Sequence, residues 1–343
     1  MYYIFMKSVC LNGHPRIKHE LRCSICNEPF ELIPDKKFTH NLELNFDYIT
    51  KKVTLGEVFT PVVDLNRNLS LKLDYFSPTY SYKDRGTKNL ISYIKTNESE
   101  FKVNSINEDS SGNAGASIAA YGARAGYHVN IYVPFNANEN KLRQISSYGA
   151  NILKINGTRD NVQVAAENAS GFYASHILNP EFRDGIRTLA YEIFMQSSRM
   201  PDNIFVPVSA GTLLSGLYSG LSHLYSSGEI DKIPKIIGVQ PENISPLCSL
   251  VNELKYNPDN NLSSIADALV AKRPVLMKLM MRIMKDGNNC VSVSEKDIID
   301  ARKDLALKGF YIEYSSATVY AAYRKGHYSG KSLLVLTGNG LKN

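Results

Sequence analysis

The 343-residue sequence contains no apolar run long enough to cross a membrane. Its longest uncharged stretch includes Ile204 to Gly228, and Pro207, Gly211, Gly216, Gly220 and His223 interrupt it. A spanning helix needs about 20 predominantly apolar residues. The first ten residues, MYYIFMKSVC, lack the basic start and apolar core of a secretory signal, which points to the cytoplasm. No block of lysines and arginines stands out. The 39 basic and 33 acidic residues leave +6, thinly spread, whereas a nucleic-acid groove binder clusters its charge. Neither nucleic acid nor membrane is an expected partner. Cysteine is scarce: five residues, three of them within the first 26. That odd number and crowding suit a metal site or its remnant, not a disulfide framework. Internal repeats and low-complexity tracts are absent. Hydrophobic residues at 43% and charged residues at 21% describe an ordinary globular chain, long enough for about two domains.

What is present divides early. Residues 1–45 hold Cys10, His14, His19, Cys23, Cys26 and His40 with little apolar periodicity, and read as a small appended module. From about Leu55 the pattern is α/β. Strands are expected at Leu71–Leu73, Ser105–Glu108, Val129–Val133, Asn151–Ile155, Ile204–Val208, Ile236–Gln240 and Ser332–Leu336. Helices are expected at Thr87–Lys95, Ala114–Gly126, Glu139–Tyr148, Asp160–Ser170, Arg187–Ser197 and Leu213–Tyr225. Such alternation implies parallel sheets with right-handed crossovers. The stretch Asp259–Lys285 reads as helices with a methionine stripe (Met277, Met280, Met281, Met284), a common core filler. Ser294 to Asp297 has the shape of a capping box.

Four junction loops stand where α/β proteins place ligands. In Ser77-Pro-Thr-Tyr-Ser-Tyr-Lys-Asp-Arg-Gly86, Lys83 opens a helix. A helix N-terminus disfavours an ammonium, which suits a lysine that must lose its proton to form a Schiff base; a solvated first turn is the plain alternative. Asp109-Ser-Ser-Gly-Asn-Ala-Gly115 and Val208-Ser-Ala-Gly-Thr212 each put small residues before a helix, so that backbone N–H groups can close on an anion. An ordinary tight turn is the alternative for both. The second is neither a Walker loop nor a dinucleotide fingerprint. Leu336-Thr-Gly-Asn-Gly-Leu-Lys342 places a hydroxyl at the end of a buried strand.

In this order the loops resemble the threonine synthase family of fold-type II pyridoxal-phosphate enzymes. Thr54-Leu-Gly-Glu57 with Thr60-Pro61 and Ser77-Pro-Thr79 is similar to the family's first box. Ser81-Tyr-Lys83-Asp-Arg-Gly86 is similar to its Ser-Phe-Lys-Asp-Arg-Gly box, Ser111-Gly-Asn-Ala-Gly115 to its asparagine loop, and Thr337-Gly-Asn-Gly-Leu-Lys342 to its Thr-Gly-His-Gly-Leu-Lys ending. The resemblance spans about Thr54 to Lys342. It implies two open, twisted, mostly parallel-sheet domains with helices on both faces. The large domain would take 46–83 and 176–343, and a small inserted domain 84–175. Lys83 would hold pyridoxal phosphate and shuttle protons, and Asn113 would bind the ring hydroxyl. Ser209, Ala210, Gly211, Thr212 and Leu213 would hold the cofactor phosphate, with Thr337 facing the pyridine nitrogen. Ser110, Ser111, Gly112 and Ala114 would receive the substrate carboxylate.

Ser175-His-Ile-Leu-Asn179-Pro-Glu-Phe-Arg183-Asp-Gly185-Ile-Arg187-Thr188 is similar to the family's Asn-Ser…Asn-Pro…Arg-x-Glu-Gly-x-Lys-Thr stretch, which implies Ser175 and Arg183 as ligands of the substrate phosphate and Asn179 as a further substrate-binding residue. Departures bear on the substrate: Tyr80 stands in place of a glycine, Ala114 in place of a threonine, and the Ser175 to Arg183 spacing is stretched. The implied reaction converts O-phospho-L-homoserine and water to L-threonine and phosphate. The alternative is a related β-replacement or elimination enzyme: a cysteine synthase, cysteate synthase, or threonine or serine dehydratase. The substrate would be a small, phosphorylated amino acid, and a homodimer follows by analogy. The cysteines resemble the zinc-ribbon-like start of some relatives, with Cys10, His14, Cys23 and Cys26 offering a Cys₃His set for zinc; a metal-free remnant is the alternative. From another class, a zinc-ribbon nucleic-acid binder without catalysis conflicts with the retained Lys83.

Overall fold

The structure is a computed structural model that describes residues 7–137, 139–260 and 262–342. The residues before Lys7, on which the secretory-signal reading partly falls, lie outside it. Among the described residues the strands are β1 (Lys7–Cys10), β2 (Phe30–Ile33), β3 (Val62–Asn66), β4 (Leu69–Leu73), β5 (Ser105–Glu108), β6 (His128–Pro134), β7 (Asn151–Ile155), β8 (Phe172–Tyr173), β9 (Asn203–Pro207), β10 (Lys235–Pro241), β11 (Asn289–Val293) and β12 (Ser332–Leu336). No described helix is long and apolar enough to cross a membrane.

The chain forms two compact units. The first takes the chain up to Val58 together with Ser77–Gly185, and the second takes Phe59–Phe76 with Ile186–Lys342. These bounds differ from the expected 46–83, 84–175 and 176–343. The N-terminal module and Lys83 both fall in the first unit, because the Lys83–Thr96 helix packs on the Pro180–Gly185 helix. In the first unit a four-stranded sheet runs in the order β7-β6-β5-β8, parallel throughout. β5 and β8 are neighbours, with Asn107 opposite Tyr173. The loops that leave their carboxyl ends, from Glu108 and from Ala174, therefore emerge side by side. The β1–β2 hairpin is antiparallel and encloses Cys10, Cys23 and Phe30.

In the second unit a six-stranded sheet runs β11-β10-β9-β12-β4-β3, with only the edge pair β3–β4 antiparallel. β4, β9 and β12 are buried along their whole length, as strands covered on both faces should be. β9 and β12 are adjacent and parallel, so the loops at Val208–Thr212 and Thr337–Gly340 leave the same edge. β4 carries a surprise: Lys72 sits fully buried within it, its ammonium 2.8 Å from Glu192.

Most expected elements are present; the helices expected at Glu139 and Arg187 start there, and the other expected helices start one to four residues early. The clearest case is the helix expected at Thr87, which begins at Lys83. The Ser294 capping box closes in both directions with Asp297. Between Asp259 and Lys285 only a short turn, Asp267–Leu269, and the helix Met277–Lys285 form. Cys248 and Cys290 are joined by a disulfide, a pairing that the cysteine spacing did not suggest; the other three cysteines are free.

Candidate active site

Lys83 is the first residue of its helix, preceded by Tyr82, which makes no side-chain cap. Its ammonium lies 4.9 Å from the centre of the Tyr82 ring and 5.8 Å from that of Phe182. Among the described residues it has no hydrogen-bond or ion-pair partner. The rest of the loop is clamped by Asp84. Its buried carboxylate accepts from the Thr79 N–H and hydroxyl and from the Ser117 hydroxyl, each at 2.6 Å. Gly86 explains the Phe182 contact, since a Cβ there would lie 2.5 Å from the Phe182 ring. The lysine is thus held by its backbone while its side chain stays available.

Tyr80, expected as a departure from glycine, sits at φ +64° and is 54% exposed. Left-handed backbone costs a β-carbon-bearing residue roughly 1–2 kcal/mol. Tyr80→Gly is expected to raise stability by about 1 kcal/mol in urea denaturation, net of glycine's extra chain entropy. No gain would show that the ring's contacts outweigh the strain.

The loop after β5 reaches the Asn113–Ala125 helix through Gly112, which offers no side-chain cap. Asn113 and the preceding Ser110, Ser111 and Gly112 are half-buried, and Ala114 is buried. The loop closes tightly over the helix, with the Ser110 carbonyl where a Cβ on Gly115 would stand, 1.9 Å away. The helix N-terminus therefore presents uncapped N–H groups, as an anion cradle requires.

Beside this loop lies an acid–imidazole pair that the motif reading did not single out. Glu108, with a fully buried side chain, meets His176 twice: Nδ1 is 2.6 Å from Oε1, and the backbone N–H donates to Oε2 at 3.2 Å. Burial raises the Glu108 pKa well above the usual carboxylate range, helped by Asp109 and opposed by Arg159 and Lys83. Burial lowers His176 well below the ordinary imidazole value, and the Lys83 and Arg159 charges act in the same direction. Asp109 in turn binds the Tyr173 hydroxyl at 2.8 Å and Arg159 at 2.5 Å.

The three residues of the 175–188 stretch expected to bind substrate make hydrogen bonds within the protein. The Ser175 hydroxyl accepts from the Leu178 N–H at 3.2 Å. Asn179 donates to the carbonyls of Tyr173 and Ser175. Arg183 is buried, its guanidinium donating to the carbonyls of Ile177 and of Phe30 in β2. Burial lowers its pKa to about 10. It ties the N-terminal module to the Pro180–Gly185 helix, as does Arg16 with Glu181 at 2.5 Å. Phe182 and His176, not Arg183, share the surroundings of Lys83. A clue was in the spacing: in an Arg-x-Glu-Gly pattern the arginine stands three residues before the glycine, and three before Gly185 stands Phe182.

In the second unit Ser209 and Ala210 lead to Gly211, the N-cap of the Thr212–Ser226 helix. Gly211 has φ +101° and contributes no side-chain cap, and a Cβ there would lie 2.7 Å from Met280 Sδ. Thr212 and Leu213 are buried at this uncapped end. Thr337 is buried after β12, its hydroxyl 2.9 Å from Ser316 Oγ, which also accepts from the N–H groups of Thr337 and Gly338. Ser316 was not anticipated, because nothing in its own helical stretch marks it.

In the module the four expected metal donors converge within 4.8 Å of one another. Cys10 Sγ is 3.4 Å from His14 Nδ1 and 3.6 Å from Cys26 Sγ, and Cys23 Sγ is 3.5 Å from His14 Nδ1. A tetrahedron with zinc–sulfur bonds of about 2.3 Å and zinc–nitrogen bonds of about 2.0 Å has edges of about 3.5–3.8 Å, so the donor set fits a bound metal.

The sequence pattern of the pyridoxal-phosphate dependent enzymes matches residues 53–338. A threonine synthase of Methanocaldococcus jannaschii is 30% identical over 319 residues, covering 86% of this chain and 77% of the relative. One from Methanosarcina acetivorans is 30% identical over 290 residues, covering 80% and 71%. Among solved structures, a processed threonine deaminase isoform 2 from Solanum lycopersicum superposes with a TM-score of 0.70 at 21% identity, covering 91% of this chain and 88% of that one. A pyridoxal 5'-phosphate-dependent aspartate racemase superposes with a TM-score of 0.68 at 23% identity, covering 82% and 90%. At those identities the structures show a shared fold.

Proposed function

The chain belongs to the pyridoxal-phosphate dependent enzyme family, and from that premise we propose that it is a threonine synthase, converting O-phospho-L-homoserine and water to L-threonine and phosphate. The observation that carries the reading is the 30% identity to two archaeal threonine synthases over 80–86% of the chain. The residues fit the cofactor. The Lys83 amine has no hydrogen-bond or ion-pair partner among the described residues, and the Thr212–Ser226 helix, whose N-cap Gly211 makes no side-chain cap bond, starts in a way that suits a dianionic phosphate. When bound, pyridoxal phosphate supplies a sink for the negative charge that builds on substrate carbon.

The protein's own part is positioning and proton transfer. Lys83 would hold the cofactor, then take the proton from Cα and move protons at Cβ. The N–H groups of Ser209 to Leu213 would bind the cofactor phosphate. Asn113 would hold the ring hydroxyl. Thr337, steadied by Ser316, would face the pyridine nitrogen with a neutral hydroxyl, and the Ser110–Ala114 loop would take the substrate carboxylate. Phosphate release and threonine formation from O-phospho-L-homoserine test the reading; a purified, cofactor-loaded protein that releases no phosphate sinks it. The engagement of Arg183 by Ile177 and Phe30 favours a second reading, elimination at Cβ of serine or threonine. Ammonia release from either amino acid without phosphate chemistry would select it.

The Cys10, His14, Cys23 and Cys26 cluster is assigned to zinc, a structural site closed by four protein ligands. Metal analysis is expected to give about one equivalent, and Cys23→Ser to lose it with a lowered Tm. Less than about a tenth of an equivalent would identify a metal-free remnant.

A further inference from the structure

We propose that His176, oriented by Glu108, is a second catalytic proton-transfer residue beside Lys83, exchanging a proton with the oxygen that joins or leaves the substrate's β-carbon. The argument begins with topology. β5 and β8 are parallel neighbours in register, so Glu108, at the end of β5, lies under the loop that carries His176. Both Glu108 side-chain oxygens face that histidine, one 2.6 Å from Nδ1 and the other accepting from the backbone N–H at 3.2 Å. Glu108 therefore fixes the ring's orientation; with the shared proton on Nδ1, Nε2 carries the lone pair.

Nε2 has no protein partner among the described residues, and the side chain keeps 12% exposure. Its ring meets the edge of Phe182, with centroids 5.9 Å apart, and the Lys83 ammonium lies against the same Phe182 ring. The imidazole and the cofactor lysine thus flank one aromatic side chain. The charges around the imidazole are Lys83 and Arg159 on the positive side and Glu108 and Asp109 on the negative.

The chemistry follows from the balance of protons. When water adds at Cβ, a C–O bond forms and one O–H bond must break, while the bound cofactor would supply the sink for the carbon–carbon π pair. Lys83 already carries the protons of Cα and Cβ. His176 Nε2 takes the water's proton and passes it to solvent. In the reverse direction it returns a proton to a departing hydroxyl, which leaves as water. A neutral imidazole presents an acceptor to an O–H group, which suits water or a hydroxyl better than a phosphate dianion. The role of His176 rests on the proposed cofactor chemistry at Lys83, and not on which of the amino acids is the substrate.

The test separates the two. Wild type, His176→Gln, His176→Ala and Glu108→Gln are loaded with cofactor and compared on O-phospho-L-homoserine, L-serine and L-threonine. Substrate α-hydrogen exchange with deuterated water is measured alongside product formation. In His176→Gln, product formation is expected to fall about a hundredfold or more, while α-hydrogen exchange stays within about threefold, because Lys83 is intact. Added imidazole should restore part of the turnover of His176→Ala. A parallel loss of exchange and product in a folded variant, or full turnover in His176→Gln, overturns the proposal. If wild type acts on serine or threonine but not on phosphohomoserine, the substrate reading fails and the same comparison is made on the amino acid that reacts. Independently of turnover, histidine ¹⁵N shifts of the wild type should report His176 neutral with Nδ1 protonated between about pH 6 and 8, and Glu108→Gln should alter that signal. A cationic or Nε2-protonated His176 at pH 7 overturns the assignment.

Discussion

Replacing Lys83 by alanine is expected to lower turnover by at least about a thousandfold, since both covalent attachment and proton transfer are lost. The protein should also be left without covalently held cofactor. The fold should survive, because the side chain makes no hydrogen bond or ion pair among the described residues and the loop is held by Asp84 through Thr79 and Ser117. Borohydride reduction of the loaded wild type should fix the cofactor to a peptide containing Lys83, and the variant should lose the visible band and the label together. A variant that retains more than about a tenth of the activity, or wild-type label mapped to another lysine, would exclude Lys83 from the role.

The second large effect is on stability. Lys72 is fully buried in β4, the strand next to the β3 edge of the six-stranded sheet. Its ammonium is 2.8 Å from Glu192, 2.7 Å from the Thr60 carbonyl and 2.7 Å from Gln196 Oε1. Glu192 also accepts from the Thr60 N–H at 3.2 Å. Removing one member of a buried ion pair leaves an uncompensated charge and costs about 3–5 kcal/mol, whereas replacing both by apolar residues is often close to neutral. Glu192→Leu should therefore lower the stability of the protein by about that amount in urea denaturation. The double replacement Lys72→Met with Glu192→Leu should recover most of the loss. A single-variant cost below about 1 kcal/mol, or a double variant worse than either single, would show that the pair does not carry this energy.

The same pair shows why part of the fold could not be read from sequence. Leu71-Lys-Leu73 reads as a short strand, and its period says nothing about what neutralises Lys72. The partner lies 120 residues away, and only the packing of the Arg187–Gln196 helix brings it in. The Pro180–Gly185 segment shows a second limit. On a helix one residue turns a side chain by about 100°, so a motif displaced by a single position exchanges the faces of its members. Phe182 meets Gly86 and Lys83, while Arg183 reaches Phe30 of the N-terminal hairpin. A search for an arginine near an Asp-Gly pair cannot see that rotation.

What the sequence determined by itself was local chemistry: the βα alternation, a lysine at a helix start, the small-residue turns that leave helix ends uncapped, the Ser294 capping box, and four metal-type donors close in the chain. Each follows from neighbours a few residues apart, where backbone geometry is set by residue type. The tertiary structure decided which side chains meet. It set Glu108 under His176 because β5 and β8 pair in parallel, gave Arg183 to the module, and brought Phe182 against both the histidine and Lys83. Those contacts join residues from separate strands and helices, and their geometry depends on sheet register and helix rotation, which no single segment specifies.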